Sequence, residues 1–187
     1  MLLSVLLNTA IVVCMLIPLL FYRGKAPMRV MLRFFTTLSN LLCALTALLV
    51  VIFRVCGGAP NWVLVLKYIG TAAVTVTLLT VLLFLGPTKG FKRMFSGPDF
   101  WLHLPAPVLA IVSLLLCDKP ALPFAGTLLG VLPVLLYSIV YIFRVLFAPE
   151  ERRWPDFYGF NRDGKWPVSL GAMLVGSYAA SVLLWLL

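Results

Sequence analysis

Apolar residues come in six nearly uninterrupted stretches of about twenty, near residues 2–21, 34–53, 68–85, 100–117, 123–143 and 168–187. A helix rises about 1.5 Å per residue, so each stretch matches a hydrocarbon core of about 30 Å. The breaks are short and rich in Pro, Gly and charge, as in Gly57-Gly58-Ala59-Pro60, Gly86-Pro87-Thr88-Lys89 and Cys117-Asp118-Lys119-Pro120, which is the punctuation of helix ends. A transmembrane barrel would alternate apolar and polar positions, whereas these stretches are apolar on every side. The pattern predicts an all-α bundle of six transmembrane helices forming one domain over residues 1–187.

Composition carries the same message. Of 187 residues, 63% are hydrophobic and 11% charged, and the mean hydropathy is +1.08. That is more apolar surface than a soluble domain of this length buries. The first stretch differs from a secretory signal: its basic residues Arg23, Lys25, Arg29 and Arg33 follow the apolar run instead of preceding it, so a retained helix is expected.

Charge then orients the bundle. The first, third and fifth connections hold 12 of the 15 Lys and Arg residues, leaving Arg54, Lys67 and Lys119 for the other side. The positive-inside rule puts the odd-numbered connections in the cytoplasm and both termini outside. The formal charge of +9 is thereby accounted for by topology and anionic lipid, and no nucleic acid partner is expected. Cys14 and Cys43 fall within helices and read as small packing residues. Cys56 and Cys117 lie at helix ends on one side, where a disulfide is conceivable, and no spacing suggests a metal.

Polar residues at membrane depth are the unusual feature. The second helix opens with Phe34-Phe35-Thr36-Thr37-Leu38-Ser39-Asn40, placing Thr36, Asn40, Cys43 and Ala47 on one face. The fourth opens with Trp101-Leu102-His103-Leu104-Pro105-Ala106-Pro107, which sets the single histidine about one turn inside on the same side. An ionisable group there marks a functional site by default. A hydroxyl and an imidazole at matching depth suit nucleophilic catalysis, because threonine attacks only once a base removes its proton. Helices two, four and six all begin on that side, so three helix N-termini are expected to converge near developing negative charge. Proton relay and plain packing are the competing readings of His103, and hydrogen bonding to a carbonyl is that of Thr36.

Other residues support the picture. Tyr137, Tyr141 and Arg144 share a face of the fifth helix and read as an interfacial aromatic and basic belt. Ala172, Gly176 and Ala180 form a small-residue ridge suited to close packing within the bundle or between copies. Thr71, Thr75 and Thr77 are expected to bond to carbonyls. Asp99 reads as the cap of the fourth helix, and Asp156 reaches the site only if its loop folds back.

The block Phe34 to Asn40 resembles the start of the second helix in a family of small six-helix membrane proteins that includes the androgen-induced and androgen-dependent hydrolases of animals and many bacterial members. The likeness continues in Leu102-His103-Leu104-Pro105-Ala106-Pro107, in Tyr137-Ser138-Ile139-Val140-Tyr141 and in Trp154-Pro155-Asp156-Phe157-Tyr158. The resemblance implies an intramembrane hydrolase of fatty acid esters of hydroxy fatty acids. Thr36 would be its nucleophile and His103 its general base, with Ser39, Asn40, Tyr137, Trp154 and Asp156 in support. Membrane lipids would be its partners and a lipid ester its substrate, with no metal or organic cofactor. A bacterial inner membrane and a possible homo-oligomer complete the expectation. A lipid acyltransferase and a carrier with a titrating His103 are the alternatives.

Overall fold

The computed structural model describes residues 1–25 and 27–187 and contains six helices long and apolar enough to cross a membrane: α1 Leu2–Tyr22, α2 Phe35–Val55, α3 Asn61–Lys89, α4 Asp99–Leu116, α5 Phe124–Phe147 and α6 Trp166–Leu186. No strand occurs among the described residues. The architecture is that of an integral, multi-pass all-α bundle. With six spans, both termini lie at one end, and the opposite end carries most of the basic residues.

The centre of the bundle is α3, which packs against α2, α4, α5 and α6. In its most apolar stretch 61% of residues are buried, against 22% for α6 at the periphery. Its sequence explains the position: Gly70, Thr71, Ala72, Ala73, Val74, Thr75 and Val76 are all buried, and residues this small let neighbours approach from every side. A Cβ on Gly70 would lie 2.6 Å from Thr46 Oγ1 and 3.1 Å from Cys43 Cα. Ile11, Cys43, Ala47, Val74 and Ala110 bring α1, α2, α3 and α4 together in one cluster. Leu and Val side chains on the outer faces, such as Leu45, Leu83, Leu136 and Val175, stay exposed for lipid.

Two of the sequence expectations shift here. The third helix is longer than its apolar run of 68–85, beginning at Asn61 and ending at Lys89. Lys67 therefore lies inside the span, fully buried, instead of in the connection where its charge placed it. At the other end the helix passes through Pro87 because Val81–Leu85 winds as a π-helix. The wider turn relieves the clash between the proline ring and the carbonyl four residues back. The chain turns only at Gly90, whose φ of +90° suits glycine.

Helix α4 is broken. Asp99–His103 and Pro105–Leu116 are separate segments with Leu104 between them at φ −130°, ψ −63°. Pro105 imposes the break, since a residue before proline is pushed out of the helical region. In α6 the predicted small-residue ridge closes only at Ala180, which packs with Ala73, Val76 and Val134; Ala172 and Gly176 are exposed, and a Cβ on Gly176 would meet nothing within 4 Å. The tight approach is instead at Gly130 of α5, whose Cβ would strike Ser181 of α6 and sit 3.1 Å from Ala72 Cβ of α3. The cysteines are free, Cys56 and Cys117 included, so the conceivable disulfide is not formed.

Candidate active site at the basic end

A cavity of about 330 Å³ opens at the basic end between α1, α2, the end of α3 and the start of α4. Thr36, Thr37 and His103 line it together with Tyr22, Asp99 and Tyr158. His103 reaches it through the break in α4, which turns Asp99–His103 into a separate foot below the main segment. Its Nδ1 lies 2.6 Å from the Met94 carbonyl oxygen. A carbonyl accepts only, so Nδ1 donates and Nε2 is the ring nitrogen left for the cavity. The ring is thus oriented by backbone, the task a carboxylate performs in many acid–base sites.

Thr36 stands on the first turn of α2. Its carbonyl accepts from Asn40 Nδ2 at 2.8 Å and from Ser39 Oγ at 3.1 Å. Asn40 is buried and gives its amide also to the Leu102 carbonyl at 3.1 Å, a group beside the break in α4. Asn40 therefore positions the two helices and does not line the cavity. Ser39 turns to Thr77 of α3, hydroxyl to hydroxyl at 2.8 Å.

The α5–α6 loop folds back over this end, and its Phe157 and Tyr158 line the site. The Tyr158 phenol oxygen accepts the Phe35 N–H at 3.0 Å, occupying the N-terminus of α2 where a reacting oxyanion was expected. Burial raises the Tyr158 phenol above its usual pKa, although the Phe35 N–H, Tyr137 and Thr36 all pull it down. Asp156 does not approach His103. Its carboxylate accepts from Tyr141 at 2.8 Å and from the Phe160 and Asn161 N–H groups at 2.8 Å each, which fixes the loop. Tyr137 donates to the Arg33 carbonyl at 2.7 Å and packs on Phe35 and Tyr141. Asp99 makes no cap bond; it accepts from Tyr22 at 3.1 Å. Of the three helix N-termini expected to converge, α2 and α4 border the cavity, and no residue of α6 does.

Lys89 and Arg93 bring positive charge to the cavity wall, and Lys89 Nζ is already held by the Phe157 carbonyl at 2.8 Å. Among the described residues no group of three or more His, Cys, Asp or Glu is arranged to hold a metal ion.

At the opposite end lies a polar cluster that reading for apolar runs passed over. Asp118 is fully buried and its carboxylate accepts from Ser4 at 2.7 Å, Asn8 at 2.7 Å, Ser113 at 2.7 Å and Arg54 at 3.2 Å. Burial alone would raise its pKa, but the four donors outweigh it and hold the carboxyl below its ordinary value. Nearby on α3, Lys67 Nζ and Thr71 Oγ1 have no hydrogen-bond partner among the described residues. Thr75 and Thr77 do bond to the carbonyls one turn back, as expected; Thr71 does not. Sequence offered one usable signal here, a lysine four residues before a threonine in an otherwise apolar run.

Comparison of the chain with protein-family models, with curated proteins and with solved structures gives no match.

Proposed function

We propose that this protein is an intramembrane lipid esterase in which Thr36 is the nucleophile and His103 the general base. The observation that carries the reading is that the two side chains share one cavity while His103 Nδ1 is fixed on the Met94 carbonyl, leaving Nε2 as the base. Nε2 takes the Thr36 proton as Oγ1 attacks the ester carbonyl. The imidazolium then protonates the departing alcohol, and the acyl group remains on Thr36. Water, deprotonated by the same nitrogen, releases the fatty acid and restores the hydroxyl.

The cavity lies at the start of α2 and α4, the depth at which the ester group of a bilayer lipid would sit. Lys89 and Arg93 on its wall favour a substrate with a free carboxylate, as in a fatty acid ester of a hydroxy fatty acid. The same covalent step serves an acyltransferase when a lipid hydroxyl replaces water. The basic end faces the cytoplasm on the positive-inside rule, and a bacterial inner membrane fits that orientation.

The test is purified protein in detergent, incubated with a fluorophosphonate ester probe and, separately, with a fatty acid ester of a hydroxy fatty acid. Mass spectrometry is expected to locate the adduct on Thr36, and Thr36→Ala to abolish both labelling and hydrolysis. His103→Ala is expected to lower turnover by about 10²–10⁴-fold. Labelling elsewhere, or a Thr36→Ala protein as active as wild type, overturns the reading. Addition of a lipid alcohol separates hydrolysis from acyl transfer by its product.

A further inference from the structure

On the other side of α2 from the cavity, a second groove of about 320 Å³ runs between α2 and α5 and opens toward lipid. Its walls are Leu38 and Leu42 from α2 and Leu136 and Val140 from α5, with Ser39 among the few polar residues that border it. Phe35 to Leu42 and Pro133 to Val140 each span seven residue steps, so the walls are about 10 Å long. A slot of this length and volume takes the upper part of one acyl chain, too little for a second helix.

The mouth of the groove is built from charge and aromatic surface. Trp154 covers it, held by a bond from its backbone N–H to the Arg144 carbonyl at 2.9 Å. The guanidinium groups of Arg33 and Arg144 each lie 5.7 Å from the Trp154 ring centroid. The Arg33 backbone is itself tied down by Tyr137 at 2.7 Å. Neither guanidinium has a carboxylate or a hydrogen-bond acceptor among the described residues. Two cations with no anionic partner among the described residues thus flank an indole that lines an apolar slot.

We propose that this groove binds one anionic phospholipid, with an acyl chain between α2 and α5 and its phosphate bridging Arg33 and Arg144. A phosphate offers several acceptor oxygens to two separated guanidiniums. Basic pockets between helices at a membrane surface recognise lipid headgroups by the same complementarity. The site is distinct from the Thr36 cavity and does not rest on the esterase reading.

The experiment is native mass spectrometry of the full chain released from nanodiscs of phosphatidylcholine doped with phosphatidylglycerol. One phosphatidylglycerol is expected to stay bound with a preference of roughly tenfold or more over phosphatidylcholine, two surface arginines being worth at least that. Arg33→Gln with Arg144→Gln removes the preference. Leu38→Trp fills the slot and removes the bound lipid with both charges intact. Lys92→Gln with Arg152→Gln, two exposed basic positions, leaves binding unchanged, as does Thr36→Ala. Equal retention of the two lipids, an equal loss in the Lys92/Arg152 variant, or undiminished binding in Leu38→Trp overturns the proposal.

Discussion

The Asn40 amide joins α2 to α4 by donating 3.1 Å to the Leu102 carbonyl while it also holds the Thr36 carbonyl at 2.8 Å. Thr36 and the residue before His103 are therefore fixed to one side chain. Asn40→Ala leaves the buried Leu102 carbonyl unpartnered, at a cost of about 1–3 kcal/mol. Thermal unfolding in detergent measures that cost. Ester turnover is expected to fall further than stability does, because the spacing of Thr36 and His103 loosens.

Glycines divide by their neighbours. Gly130→Ala forces a Cβ against Ser181 and Ala72, and overpacking of this kind costs about 1–3 kcal/mol. Gly176→Ala meets open space and gains helix propensity of up to about 1 kcal/mol. Opposite shifts in melting temperature are expected from the pair, and a large loss from Gly176→Ala would mean that the α6 ridge is buried by another copy.

Asp118 makes stability depend on acid. Its folded pKa is depressed, so its contribution is fully present above the unfolded carboxylate value of about 3.9 and disappears as pH falls through the lower folded value. Asp118→Asn is expected to flatten the acid limb of a stability-against-pH curve. It also leaves Arg54 without its carboxylate partner; because that side chain is 24% exposed and keeps the Cys117 carbonyl, the loss at neutral pH is expected below the roughly 3–5 kcal/mol of a fully buried pair. Urea or heat unfolding from pH 7 down to about pH 2 checks both effects.

Lys67 is buried with no partner for its amine among the described residues. Lys67→Met keeps the length of the side chain and removes the polar group, so it is expected to raise stability by about 1–3 kcal/mol. A strong loss of stability would show that the amine is satisfied by a bound group.

The six spans were legible because lipid-facing and core-facing positions are both apolar, so each helix announces itself by length alone. The limits of α3 were not, since Lys67 read as the edge of a connection and Gly86-Pro87 as a helix end. Burial of the first and the π-helical stretch before the second are tertiary and local-geometry effects with no one-residue signature. The stations of Thr36 and His103 followed from their position near helix starts, but the break at Pro105 that brings His103 to the cavity was not read, since the fourth span was expected to run unbroken over about 100–117. Their setting was harder to read. That His103 is oriented by the Met94 carbonyl, that Asp99 bonds to Tyr22 and that Tyr158 caps α2 all depend on how loops return across the bundle. Trp154, expected near the site, covers the lateral groove, and Asp156 braces its own loop.

With the Tyr158 phenol seated on the first N–H of α2, the loop 123 residues downstream acts as a latch on the cavity. An anion that claims that N–H must first displace an aromatic side chain, so arrival of ligand and release of the loop become a single event. The resting protein thus keeps the first N–H of α2 occupied by its own chain and closed to anions at the membrane surface.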